Sequence, residues 1–294
     1  MSPSSSSAGK KRAVICGISY KGYNKEEIEG SVNDAIFMKY LLENKYNFSD
    51  ILMLTDDEKN SMNNIPTKMN ILNAMEWLVK DCQQGDSLVF YYSGHGSQKK
   101  DMDGDEIDGF DETLCPLDYF TNGMITDDVI NETIVRPLPS GAMLHVIIES
   151  SHSGTVLDLP FLCKMNRKGF YHWEGHRSLN GVWKGSLGGD VILFSSSQDH
   201  QENIETKEIS KKIAAGGMTY YFIKALEKGD VKTYVELLNF MQSEIIKLEK
   251  KMDRNHGSRM VRVMGKLKRF LGKNQVPQLS SNRRFDVYEK AFSF

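Results

Sequence analysis

The chain has 294 residues, 40% of them hydrophobic and 26% charged, with a formal net charge of −2 at pH 7. That is enough apolar material for one large α/β domain or two small ones, and it gives no overall positive charge to draw the chain to nucleic acid or to an anionic membrane. Four cysteines, Cys16, Cys82, Cys115 and Cys163, stand far apart with no CxxC pair, which argues against a disulfide framework or a cysteine zinc site.

Met1 to Arg12 is Ser-rich and then basic, without the apolar core of a secretory signal. No apolar run approaches the ~18–20 residues of a membrane span. Residues 1–10 are expected to be a disordered tail, and a reducing, cytoplasmic or nuclear setting is expected for the rest.

Ala13–Ile18 is a short apolar run that reads as a buried first strand. Val32–Leu42 has helical spacing with Ile36, Tyr40 and Leu41 on one face and Asn33 and Asp34 near its entry. Ile51–Leu54 is a second strand. Thr67 precedes an amphipathic helix to about Cys82, whose apolar face is Ile71, Met75, Leu78 and Val79. Leu88–Tyr92 is a third strand and runs into Ser93-Gly94-His95-Gly96-Ser97; Leu144–Ile148 is a fourth and runs into Glu149-Ser150-Ser151-His152-Ser153-Gly154. Cys163–Gly189 is basic and aromatic without periodicity and reads as an exposed connection. Asp190–Ser195 is a fifth strand, Met218–Leu226 and Thr233 to about Lys251 are helices, and Arg284–Tyr288 alternates like an edge strand.

Strands alternating with helices predict a mostly parallel sheet with right-handed crossovers, and such sheets carry their sites at the carboxyl ends of strands. Both small-residue turns lie there and would face each other across the sheet's edge. A histidine between two glycines can approach a substrate, and flanking backbone N–H groups such as that of Gly96 can stabilise an oxyanion. Taken alone, His95 is equally well a turn residue with no duty.

Tyr91-Tyr92-Ser93-Gly94-His95-Gly96-Ser97-Gln98, followed by a strand and Ser151-His152-Ser153-Gly154-Thr155, resembles the type I metacaspases, peptidases of family C14 with the caspase fold. The likeness runs from about Lys11 to the carboxyl terminus and includes Ser31-Val32-Asn33-Asp34, Gly181-Val182-Trp183-Lys184-Gly185, Met218-Thr219-Tyr220-Tyr221 and Phe285-Asp286-Val287-Tyr288. It implies a caspase-like three-layer sandwich over residues 11–294, with a large-subunit region of about 11–163, a connection of 164–189 and a small-subunit region of 190–294.

The resemblance implies a dyad of His95 with the residue at 151, where the family has its nucleophilic cysteine and this chain has serine. A thiol with a pKa of about 8.5 yields a thiolate beside histidine, whereas an alcohol needs concerted proton removal, usually assisted by a carboxylate that fixes the histidine tautomer. Peptide hydrolysis is therefore expected to be lost or strongly reduced. A working Ser-His peptidase and a non-catalytic binding protein that regulates active metacaspases are the alternatives.

The family's pocket for arginine or lysine carries over to Asp34, Ser93 and Glu149, with Glu149 in place of a shorter aspartate. Partners implied are basic peptides or proteins and, as a second class, active metacaspases; neither nucleic acid nor membrane is expected, and a monomer is expected by analogy. Lys164, Arg167, Lys168 and Arg177 are chemically suitable for self-cleavage. Asp101, Asp103, Asp105 and Glu112 invite a calcium-loop reading, but Glu106 stands where that loop needs glycine. The resemblance implies instead a calcium site of Asp111, Asp127, Asp128 and Asp158, oxygen donors that suit that ion.

Overall fold

The computed structural model describes residues 9–23, 27–28, 30–57, 64–104, 106, 109–165, 170–176, 178, 180–196, 217–228, 231–254 and 277–294. The expected tail therefore lies almost wholly outside the described residues, as do Asp105, Arg167, Lys168 and Arg177.

In chain order the elements are β1 (Lys11–Gly17), α1 (Ser31–Tyr46), β2 (Asp50–Thr55), α2 (Lys68–Val79), β3 (Ser87–Ser93), β4 (Gly96–Lys100), β5 (Phe110–Leu114), α3 (Tyr119–Asn122), β6 (Ile125–Thr126) and α4 (Asp127–Ile130). After one π-helical turn, Asn131–Val135, come β7 (Met143–Glu149), β8 (Phe161–Met165), β9 (Tyr171–Gly175), β10 (Asp190–Ser195), α5 (Gly217–Glu227), α6 (Tyr234–Arg254) and β11 (Gln278–Ser281).

Eight strands form one sheet in the order β2-β1-β3-β7-β10-β11-β8-β9, and β4-β5-β6 form a small antiparallel sheet. The pairs from β2 to β10 are parallel, while β10/β11, β11/β8 and β8/β9 are antiparallel. This is the three-layer α/β sandwich expected. Each central strand buries both faces, with successive side chains going to opposite cores. Val14, Cys16, Phe90, Tyr92, Leu144 and Val146 pack with Ile71, Met75 and Leu78 of α2. Ala13, Ile15, Val89, Tyr91, Ile147 and Ile192 pack with Met38, Leu41, Phe222, Leu237 and Met241 of α1, α5 and α6. Each fully buried aliphatic or Phe side chain contributes roughly 1.5–3 kcal/mol.

Three sequence expectations are corrected. α1 buries Ala35, Met38, Leu41 and Leu42, leaving Ile36 and Tyr40 exposed. Large apolar residues stand on its outer face as well, at Ile36, Phe37 and Tyr40, so periodicity does not choose the inner face; close approach does, since a Cβ on Gly17 would lie 2.5 Å from the Ser31 carbonyl oxygen and 2.7 Å from Ala35 Cβ. The supposed connection after Cys163 holds the hairpin β8–β9, which extends the sheet beyond β11. Arg284–Tyr288 is a turn, not a strand: Phe285 packs on Trp173 at 5.1 Å between centroids, and the strand is the polar but buried Gln278–Ser281.

On β7, His145 is fully buried, with Nε2 2.7 Å from the Tyr234 hydroxyl and the rings of Phe292 and Phe294 at 5.5 and 5.0 Å. Burial drops its pKa to about 3. Because the folded pKa lies below the unfolded value, the stabilisation is complete above pH ~6.5 and drains away as pH falls toward 3, at up to ~1.4 kcal/mol per pH unit. Urea unfolding at pH 7 and pH 5 is expected to show an acid loss that includes about 2 kcal/mol from this histidine. His145→Phe should flatten the slope by that amount, and equal slopes in the two proteins would refute the assignment.

Candidate active site and acidic bowl

β3 and β7 are neighbours in the middle of the sheet rather than at its edge, paired in parallel with Ser93 opposite Glu149. The turns that leave them therefore start level. The Gly94 N–H donates to the Glu149 carbonyl at 3.2 Å, and a Cβ on Gly96 would stand 2.0 Å from the Ser151 carbonyl oxygen and 2.9 Å from Ser150 Oγ. Only glycine fits at 96. The His95-Gly96 and Ser150-Ser151 backbones are thus in contact, with the side chains of His95 and Ser151 both half-buried.

Sequence reasoning missed the group that carries His95. Tyr20, fully buried with a φ of 52°, accepts the His95 N–H on its hydroxyl at 3.0 Å, donates to the Cys115 carbonyl at 2.5 Å and lays its ring 4.6 Å from the imidazole. Tyr92 adds a hydroxyl donor to the His95 carbonyl at 2.9 Å. Burial holds both phenols well above their ordinary pKa, so they act as neutral hydrogen-bonding groups. His152, next to Ser151, has a φ of 51°, and Asp158 one of 49°. Left-handed backbone at a residue other than glycine costs of order 1 kcal/mol and gathers where function holds it. Nothing in the local sequence around Tyr20 signals this role, because the contact joins the turns after two neighbouring strands, β1 and β3, that lie far apart in the chain.

On the α1/α5 side of the same strand ends, Asp34 is buried in the first turn of α1 and accepts the Ser93 hydroxyl at 3.2 Å. The helix dipole favours a carboxylate there. Glu149 is buried at the start of α5, where its Oε2 accepts the Thr219 N–H at 2.7 Å and the hydroxyls of Thr219 and Ser196 also engage it. Burial nevertheless pushes its pKa up to about 7, the hydrogen bonds offsetting only part of the desolvation. The Tyr91 hydroxyl, 2.9 Å from Thr219 Oγ1, feels both carboxylates and is pushed far above its ordinary pKa. Asp34, Ser93 and Glu149 are thus brought close to the two turns, but the Glu149 carboxylate is engaged by the helix terminus.

The predicted metal ligands are brought together only in part. Asp127, at the start of α4, is buried, its oxygens accepting the Glu112 N–H at 2.6 Å and the Asp128 N–H at 2.8 Å. Carboxylate oxygens of Glu106, Glu112 and Asp127 lie within 4.8 Å of one another. Glu106 also shares a hydrogen bond with Asp158. Burial first, and then neighbouring carboxylates, hold Asp127 and Glu106 well above the usual carboxylate range; burial also raises Asp158, against the pull of its Glu106 hydrogen bond and of Lys184. Asp128 and Asp158 share the ammonium of Lys184, which is 3.2 Å from Asp158 Oδ2. Asp111 is buried on β5, one residue before Glu112.

The acidic loop has its own geometry. Asp101 accepts the N–H groups of Asp103, Gly104 and Glu106 at 2.8, 2.8 and 3.0 Å, which lowers its pKa and curls Glu106 back toward the bowl. Glu106 and Glu112 were thus within the predicted acidic stretch but not among the four ligands. Lys164, on β8, pairs with Glu174 at 2.9 Å at the exposed sheet margin.

The family model described as "Metacaspase, peptidase C14 domain" matches residues 11–160. The chain is 50% identical to Metacaspase-1 of Arabidopsis thaliana over 97% of its own length and 79% of that protein's, and 48% identical to Metacaspase-2 of the same plant over 97% and 73%. A crystal structure of a Geobacter sulfurreducens protein superposes with a TM-score of 0.60 over 97% of both chains at 18% identity, a likeness of fold alone. The chain belongs to the metacaspase family, the caspase-fold peptidases of family C14.

The contact between the turns makes a testable demand. Gly96→Ala forces a methyl group onto backbone and is expected to destabilise the fold by about 1–3 kcal/mol in thermal or urea unfolding. Gly175→Ala, whose Cβ would meet nothing closer than 4.0 Å, should change little. An equally mild Gly96→Ala would show that the turns do not touch.

Proposed function

We propose that this metacaspase homologue recognises arginine- or lysine-containing segments and binds calcium, while hydrolysing peptide bonds poorly or not at all because residue 151 is a serine. The observation that carries the reading is the contact of the Gly96 and Ser151 backbones, which sets an imidazole-bearing turn against an alcohol-bearing one. His95 is the group to take a proton, and the Gly96 N–H the group to face a developing oxyanion. The Tyr20 phenol holds the backbone N–H of His95 and its ring lies against the imidazole, and the cysteine-histidine dyad that the family resemblance implies carries no carboxylate of the kind that assists a serine. An alcohol with a pKa far above that of a thiol then lacks the assistance it needs. The expected loss resembles that of disabling a triad member, about 10⁴-fold or more.

Asp34 supplies the buried anion for a basic side chain, with Ser93 steering it. Glu149 contributes less charge at neutral pH than a lone carboxylate would, since its pKa is pushed up to about 7, so cation binding at this pocket is expected to strengthen as pH rises.

The bowl of Glu106, Glu112, Asp127, Asp128 and Asp158 fits a hard cation: all its donors are oxygens, three of them converge, and the raised pKa values of Glu106, Asp127 and Asp158 mark charge in need of neutralisation. Calcium, when bound, would supply that positive charge. The bowl lies beside the strand β5 whose neighbour β4 leaves the His95 turn, so cation binding would stiffen the site from one side. The hairpin β8–β9 covers what would be the open edge of β11, which supports a monomer. The four cysteines are free, which suits a reducing compartment.

The decisive assay measures cleavage of Arg- and Lys-containing peptides by wild type, Ser151→Cys and Ser151→Cys/His95→Ala, with calcium and with chelator. Wild type is expected at background, Ser151→Cys well above it in calcium, and the double variant back at background. Robust wild-type turnover would instead make the protein a Ser-His peptidase. An inactive Ser151→Cys would leave it a binding protein whose pocket no longer serves chemistry.

A further inference from the structure

Within the acidic bowl sits a cation of the chain's own. Lys184 lies in the stretch between β9 and β10, and its side chain is buried, with its ammonium paired to Asp128 and 3.2 Å from Asp158 Oδ2. A buried ammonium is held only where fixed carboxylates compensate its desolvation. The backbone beneath it is clamped: the Asn131 amide donates to the Lys184 carbonyl at 2.8 Å and to the Leu157 carbonyl at 2.7 Å, tying the Lys184 turn to the residue before Asp158. Beside it Trp183 is half exposed, folded over Gly185, where any Cβ would stand 2.3 Å from the indole.

We propose that Lys184 is a built-in counter-ion of this bowl, and that its ammonium and a calcium ion compete for Asp128 and Asp158, so that calcium uptake expels Lys184 and shifts the turn 181–185. This rests on the calcium reading above. Calcium takes six to eight oxygens; both oxygens of Glu112 and both of Asp127 already accept hydrogen bonds from the protein, and the next carboxylate is Asp158, hydrogen-bonded to Glu106 but also held by Lys184. A dication on Asp158 would stand at contact distance from the ammonium in a site largely shut off from water, where like charges repel strongly. The lysine contributes no oxygen, so it must leave. Its tether carries the event outward to Trp183, at the surface, and along the chain to Ser186, whose hydroxyl donates to the Gly189 carbonyl at 2.6 Å just before β10.

Calcium chloride titrated calorimetrically into wild type, Lys184→Met and Asp127→Asn tests this. Lys184→Met is expected to bind about tenfold more tightly than wild type, a coupling of ordinary size for mutually exclusive ligands, and Asp127→Asn not to bind. In wild type, calcium should also shift tryptophan emission, and the shift should vanish in Trp183→Phe. If wild type binds calcium through Asp127 while Lys184→Met binds equally or more weakly, the counter-ion role is overturned and the calcium reading stands. If neither wild type nor Lys184→Met takes up calcium, both fall. Should Lys184→Met fail to fold, wild-type emission decides: a calcium shift lost in Trp183→Phe supports the exchange, and no shift overturns it.

Discussion

The parallel pairing of β3 with β7 at the centre of the sheet is the constraint on which the site depends. Because Ser93 stands opposite Glu149, the two chains leave the sheet at the same height, and neither turn needs a long loop to reach the other. A slip of one residue would send Glu149 to the α2 side and part the two turns. The register is held by both cores at once: Tyr91 and Ile147 look toward α1 and α5, Phe90, Tyr92, Val146 and Ile148 toward α2. The juxtaposition of the two turns is a by-product of core packing, and glycine at 96 is what that packing requires.

Around this centre, charge is arranged in two largely buried acidic groups on opposite sides of the strand ends. One, Asp34 with Glu149, is partly satisfied by α-helix termini and hydroxyls. The other, Glu106, Glu112, Asp127, Asp128 and Asp158, has a lysine as its resident cation. Buried carboxylates of this density raise one another's pKa and destabilise the fold unless a cation meets them. A protein that had no use for cations at either place would be more stable with neutral residues there. In the reading proposed above, the serine at 151 contrasts with this, since it leaves both acidic groups in place and sets an alcohol where the imidazole is suited to assist a thiol.

Much of the fold was legible because buried parallel strands are continuous apolar runs: AVICGI, LVFYY, LHVII and DVILFS each fall within a strand or reach one residue past its end. Thr67 caps α2 as its residue type suggests, accepting the Asn70 N–H at 3.3 Å. What failed did so for physical reasons. α1 carries large apolar residues on its outer face as well, so only tertiary contact selects its buried face. β11 is Gln-Leu-Ser-Ser, buried though polar, and no hydrophobic signal marks it. In the site, His95, Ser151 and Ser93 could be read from motifs at strand ends and Asp34 from one at a helix entry, whereas Tyr20 and Lys184 act on partners 75 and 26 to 56 residues away. Glu112, adjacent to the nominated Asp111, joins Glu106 and Asp127 through contacts between distant segments that no local pattern marks.

The central claim is that His95 and residue 151 form one chemical unit. The most direct measurement is the pH dependence of iodoacetamide alkylation of Ser151→Cys, with and without His95→Ala, followed at position 151 by peptide mass. The account predicts a thiol titrating well below the ordinary ~8.5 in Ser151→Cys and returning toward it when the imidazole is removed. A thiol that titrates normally, and does so whether or not His95 is present, would contradict it.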